Sequence, residues 1–426
     1  MLDRKIAPPI KDAIEFSLKL RPYEKYILNN GVEVYAVNAG EQDVVKIDWV
    51  FDAGKIQATR EGIALAANHL LKNGTVSKTA FEINEQFEYY GAHCARKCYT
   101  ESALISLSGL SKHLEHLLPT IREMMSEAIF PQEELDIFIQ NSKQRLAVNL
   151  KKCDFVAERL MDAYLFGEDH PYGSYMNAED YDALNIETIK SFYEQHYRNG
   201  KCIIFIAGKL PATIEAMLNQ YFGDLPITPM KNPFKELPPS PASQKKYRIA
   251  NEENAVQGAI RLARHFPNRT HPDYKHAVVL NTVLGGFFGS RLMANIREDK
   301  GYTYGIGSYF SNYAQQCVWI IGTEAGVDVC EAAINEIYHE MDVLKSELVD
   351  EEELLLVKNY LIGSILGDLD GPFQIIARWK NIILHHLPEG YFEEAIQAIK
   401  DTTPQQLLEL ANKYLDKDDF YEIVVT

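Results

Sequence analysis

The stretch PQEELDIFIQNSKQRLAVNL, residues 131–150, has an acidic start followed by a long helical pattern. The same arrangement returns 219 positions later as DEEELLLVKNYLIGSIL, residues 350–366. Two more segments return in the same order. ETIKSFYEQHYRNGKCIIFIAG, residues 187–208, is matched at an offset of 217 by PQQLLELANKYLDKDDFYEIVVT, residues 404–426. Each reads as an amphipathic helix, a tyrosine, a polar turn and a β-rich strand. Asn68-His69-Leu70-Leu71 falls opposite Asn281-Thr282-Val283-Leu284 at an offset of 213, each after a turn and a strand of alternating apolar residues. Three blocks in one order at nearly constant offset indicate an internal duplication.

Between the copies, residues 225–247 (LPITPMKNPFKELPPSPASQKKY) hold six of the chain's 18 prolines. Proline at that density prevents both helix and central strand, so this segment reads as a linker. The expected organisation is therefore residues 1–224, a linker over 225–247, and a homologous domain over 248–426. Inside a half, a strand at Thr100–Leu110 precedes helices at Lys112–Ala128 and Gln132–Lys151. Strand, helix, helix, strand argues for an α+β fold of two homologous domains, each a mainly antiparallel sheet with helices packed on one face. Gly285, Gly286, Gly305 and Gly307 do not form the G-x-G-x-x-G of a dinucleotide site and read as turns.

With 426 residues, 46% of them hydrophobic, the chain can build substantial cores. Its formal net charge of −17 disfavours phosphate backbones and anionic lipid heads, so neither nucleic acid nor a membrane is an expected partner. No run approaches the roughly 20 apolar residues of a membrane helix. The start, MLDRKIAPPIKDAIEF, lacks a signal-peptide core, and a cytoplasmic location is expected. Six cysteines are too sparse for a disulfide framework. Cys94 and Cys98 share one face of a strand that carries His93 on the other, which does not supply three convergent metal ligands.

Residues 52–75 read DAGKIQATREGIALAANHLLKNGT. This resembles the zinc-site helix of the pitrilysin/insulinase family of metallopeptidases, in particular its bacterial members similar to mitochondrial processing peptidase. In that family a glycine opens a helix bearing H-x-x-E-H, and a Gly-Thr pair follows; here Gly62 and Gly74-Thr75 keep the frame. Positions i, i+3 and i+4 share a helical face, so two imidazoles can grip one zinc while the glutamate activates the bound water. Those positions are Leu65, Asn68 and His69. Leu65 cannot ligate a metal, and a neutral amide at Asn68 cannot accept a proton from water. The family's third ligand, a glutamate on a later helix, is placed near Asn149 from the landmarks Phe166-Gly167 and His170-Pro171-Tyr172-Gly173; no Asp or Glu occurs from Ile137 to Cys153. His69 alone cannot hold zinc usefully, so no metal is expected in this chain.

Residues 287–309, FFGSRLMANIREDKGYTYGIGSY, resemble the family segment in which an arginine and, seven residues later, a tyrosine reach the substrate in the zinc site of the paired domain. Arg297 and Tyr304 have that spacing, and a guanidinium and a phenol suit hydrogen bonding to a peptide carbonyl. Purely structural roles would have Arg297 paired with Glu298 or Asp299 and Tyr304 packed. The resemblance implies a noncatalytic, substrate-binding subunit of a heterodimeric zinc metallopeptidase, with zinc only in a homologous partner and a peptide as substrate. The alternatives are a stand-alone scaffold or peptide-binding protein and, third, an active zinc endopeptidase with a rebuilt site, for which Glu61, Glu82 and His93 offer no recognisable ligand spacing.

Overall fold

Residues 11–230, 237–252, 255–367 and 369–426 are described by a computed structural model. Residues 231–236 of the proline-rich linker and residues 1–10 of the N-terminal stretch, where no signal core is expected, lie outside the described residues. Among the described residues two compact units emerge: Arg21–Ala255 with Gly371–His385 and the last two residues, and Val256–Asp370 with His386–Val424 and residues 11–20.

The first unit is built on a sheet in the order β1 (Glu24–Ile27), β2 (Glu33–Asn38), β6 (Lys201–Gly208), β3 (Val44–Phe51), β5 (Ala103–Leu110), β4 (His93–Cys98). A two-residue strand, β7 (Thr228–Pro229), runs parallel to β6, and a short β8 (Lys246–Ile249) follows it in the chain. Apart from the parallel β2–β6 and β6–β7 pairs, neighbouring strands are antiparallel. Register places Ile47 opposite Leu107 and Ile206, and Trp49 opposite Ile105 and Ile204. Because side chains alternate along a strand, these residues stack into one apolar face. It is covered by α1 (Ile63–Leu70), α3 (Leu114–Ser126), α7 (Ile186–Tyr193) and α8 (Ile214–Phe222), whose buried residues join the same core. Full burial of each such side chain stabilises by about 2 kcal/mol.

Intervening residues of β3 point the other way. Asp48 accepts hydrogen bonds from Ser106 Oγ at 2.6 Å and from Lys380 Nζ at 2.5 Å, and only 3% of Asp48 is exposed. Lys380 belongs to α12 (Pro372–Leu384), a helix from the second half of the sequence that lies on this first sheet. Beside it, Trp379 Nε1 donates to the Arg21 carbonyl at 2.7 Å, and its ring meets Tyr23 edge-on.

In the second unit, β10 (Thr303–Asn312), β11 (Cys317–Gly326), β9 (Gln257–Phe266) and β12 (Tyr421–Val425) lie side by side in that order. This repeats the first sheet's run β4–β5–β3–β6, each strand replaced by its counterpart in the other half. The fold class expected from the repeat is the one observed. Trp319, fully buried, anchors the second core and donates its Nε1–H to Ser308 Oγ at 2.8 Å. Around it pack α9 (Pro272–Asn281), α10 (Cys330–Ser346), α11 (Glu351–Gly367) and α14 (Pro404–Tyr414). Among the described residues no helix is long and apolar enough to cross a membrane.

Candidate functional site

Helix α1 starts at Gly62, whose φ of +84° is left-handed and whose α-hydrogen faces the Met176 methyl so closely that a Cβ would collide with it. Six of its eight residues are buried, which leaves Leu65 and His69, one turn apart, as the stripe not covered by the core. That stripe faces α4 (Gln132–Asn149), and the two helices enclose a cavity of about 360 Å³ lined by Leu65, His69, Ile137, Phe138, Arg145 and Asn149 among others. Three of the four sequence-derived positions, Leu65, His69 and Asn149, thus meet in one place. Asn68 does not join them. It is 2% exposed and turns into the core, where its Nδ2 donates to Tyr197 Oη at 3.0 Å and to the Leu104 carbonyl at 3.5 Å. Tyr197 is itself fully buried, and burial raises its pKa.

His69 packs its ring on Phe138 with centroids 4.8 Å apart, and its carbonyl accepts from Arg96 Nη1. His69 keeps an edge exposed to solvent, but partial desolvation against these walls, then the charges of Arg96 and Arg145, lower the imidazole pKa to about 4, against a weaker opposing pull from Glu134. The ring is therefore neutral at neutral pH. Glu134, the carboxylate in the lining, accepts from Asn73 Nδ2 at 2.6 Å. A zinc ion here would find one imidazole, one carboxylate already engaged and a repelling guanidinium, so the residues do not fit the metal that the family resemblance implies. Among the described residues no three His, Cys, Asp or Glu side chains group so as to hold a metal ion.

Arg145 is the cavity residue that the sequence reading passes over. It stands four residues before Asn149, so the same helical period that points to Asn149 places Arg145 on that face. The landmarks His170 and Tyr172 are structural: His170 Nδ1 accepts from the Tyr172 N–H at 3.1 Å, its Nε2 lies 3.1 Å from the Leu237 carbonyl, and Tyr172 Oη donates to Glu101 at 2.7 Å. All six cysteines are free thiols.

In the second unit Arg297 lies on a seven-residue π-helical segment, Met293–Asp299, a rare geometry that recurs at functional sites. The segment is held from both sides. Arg291 makes a bidentate ion pair with Glu353 at 2.9 and 2.8 Å, and Asn295 Nδ2 donates to Glu340 at 2.7 Å and Glu336 at 3.0 Å. Arg297 itself is left with a cation–π contact to Phe288, 4.6 Å from the ring centroid. Among the described residues it pairs with neither Glu298 nor Asp299. Tyr304 is 91% exposed, at the point where the β10–β11 register shifts between Thr303 and Ile306, a device that re-aims side chains.

Residues 33–173 match the family described as Insulinase (Peptidase family M16), and residues 183–361 match that described as Peptidase M16 inactive domain. An uncharacterized zinc protease of Rickettsia felis is 24% identical over 398 residues, spanning 91% of this chain and 93% of its own length. The Non-peptidase homolog YmxG of Helicobacter pylori is 23% identical over 310 residues, 71% of this chain and 70% of its own. A crystal structure of a peptidase M16 inactive domain from Pseudomonas fluorescens has the same fold, with a TM-score of 0.85 over 95% of this chain and 98% of that one at 24% identity. The two matches follow one another along the chain and both carry the M16 description, and the protein belongs to the insulinase (M16) family of peptidases.

Proposed function

We propose that this chain is a noncatalytic, substrate-binding subunit of a heterodimeric zinc metallopeptidase that acts on peptides. The observation that carries the reading is the state of Arg297 and Tyr304. Among the described residues one has only an aromatic contact and the other is almost wholly exposed, yet the segment beneath Arg297 is fastened by the Arg291–Glu353 and Asn295–Glu340 bonds. An arginine on a fastened segment, near in sequence to an exposed tyrosine, is available to bind something outside the chain. Meanwhile the metal-site helix offers Leu65, a buried Asn68 and a lone His69. The Helicobacter pylori relative's description as a non-peptidase homolog is in line with this.

On this reading a homologous partner brings the zinc and the general base, and the present chain brings Arg297 and Tyr304 to the peptide carbonyl. Six free thiols suit a reducing, cytoplasmic setting. The test is purification of the native chain under mild conditions and sequencing of what accompanies it. A stoichiometric homologue carrying H-x-x-E-H supports the proposal. A chain that runs alone and binds peptides without any zinc-bearing companion would favour the stand-alone scaffold.

A further inference from the structure

The cavity between α1 and α4 has a lining unlike a metal site. Its walls are apolar on one side, with Leu65, Ile137, Phe138 and Phe155, and its volume of about 360 Å³ is that of a small-ligand site. The polar groups are mixed: Arg145 supplies a guanidinium, Glu134 a carboxylate, and Asn73, Asn141, Ser142 and Asn149 can each donate or accept. Arg145 stands in the lining with no ion-pair or hydrogen-bond partner among the described residues, and its charge acts on both His69 and Tyr181. Asn149 Oδ1 accepts from Lys152 Nζ at 3.1 Å, and among the described residues its Nδ2 donates to no partner. Glu134 is tied to Asn73, and His69 is neutral.

A pocket with apolar walls, a free guanidinium and amide donors matches a carboxylate on an apolar stem. We infer that this cavity binds a peptide carboxylate, with Arg145 as its counter-charge. The carboxylate comes from a peptide's C-terminus or from an acidic side chain. The site is a property of the chain alone and does not depend on the complementing role of Arg297 and Tyr304, so either can fail while the other stands.

The test is fluorescence anisotropy of the full chain with three pools of N-terminally labelled, randomised hexapeptides: free C-terminal acids without Asp or Glu, the corresponding amides, and amides with one internal Glu. At least one acid-bearing pool should bind about tenfold or more tightly than the neutral amides, as expected for hydrogen bonds to a charged group. Whichever acid-bearing pool binds best identifies the source of the carboxylate. Arg145→Gln should shrink that preference to under about twofold, with Arg145→Lys intermediate and melting temperatures unchanged, because the side chain is exposed. Equal binding of all three pools, or a preference that survives Arg145→Gln, would overturn the inference.

Discussion

Asn68 donates its side-chain amide to the buried phenol of Tyr197 at 3.0 Å, so the position that the family's helix gives to a catalytic glutamate is here part of the core. A carboxylate there would face the Leu104 carbonyl without a donor for it and would lose its hydration. Asn68→Glu should therefore destabilise the chain by roughly 2–4 kcal/mol, and Tyr197→Phe by about 1–2 kcal/mol, with strong coupling in the double variant. Urea unfolding measures both. A change below about 0.5 kcal/mol for Asn68→Glu would place the residue at a solvated surface instead.

His69 gives the cavity a pH signature. Its folded-state pKa is lowered from 6.5 to about 4, chiefly by burial, so the unfolded chain takes up this proton first as pH falls. Stability should drop between about pH 7 and pH 4 and this contribution should level off below that, whereas His69→Gln should lack it. Unfolding curves of the two proteins across that window should diverge toward acid pH, with the wild type losing more. Parallel curves would show that the imidazole is as solvated as in the unfolded chain.

Lys380, itself half-buried, pairs with the buried Asp48 and fastens α12 to the first sheet. Removing only the cation in Lys380→Met leaves a carboxylate in the core with Ser106 and, at 4.0 Å, Lys46 as its remaining partners. The expected loss is roughly 2–4 kcal/mol, and adding Asp48→Asn should recover much of it, because the stranded charge is then gone. A double variant no more stable than Lys380→Met would contradict this account.

The duplication was readable because the repeated helices and strands bury comparable faces, and strand order β4–β5–β3–β6 reappears as β10–β11–β9–β12. Periodicity could not tell which sheet α12 covers; an apolar stripe shows that a face is buried, not against what. The same limit applies at α1. Positions i, i+3 and i+4 share a face only broadly, and a turn of some 60° between Leu65 and Asn68 is enough to bury one while the other lines the cavity. Arg145 was hidden because a lone arginine on a helix surface normally reads as solvated charge. The π-helical segment under Arg297 carries no sequence signal; it is seen only in the folded chain, where Asn295 within it and Arg291 just before it bond to distant glutamates.

Zinc affinity should follow Arg145 more than the motif on α1. Leu65→His with Asn149→Glu adds two donors to the cavity stripe but leaves the guanidinium beside His69, whose field opposes a dication. Leu65→His with Arg145→Glu removes that charge and adds a carboxylate, and should bind zinc about tenfold or more tightly than the first pair, measured by competition with a chromogenic chelator. Equal affinities would mean that Arg145 does not face the metal position.

The measurement closest to the central claim is peptide cleavage by the complex of this chain with its zinc-bearing partner, made with the wild type, Arg297→Ala and Tyr304→Phe, with assembly followed separately by gel filtration. Loss of one oxyanion-type donor should lower turnover roughly ten- to a thousandfold for Arg297→Ala, with assembly intact. The cation–π contact with Phe288 is worth only about 1 kcal/mol, so the variant should remain folded. Unchanged cleavage by both variants in fully assembled complexes would contradict the complementing-subunit mechanism.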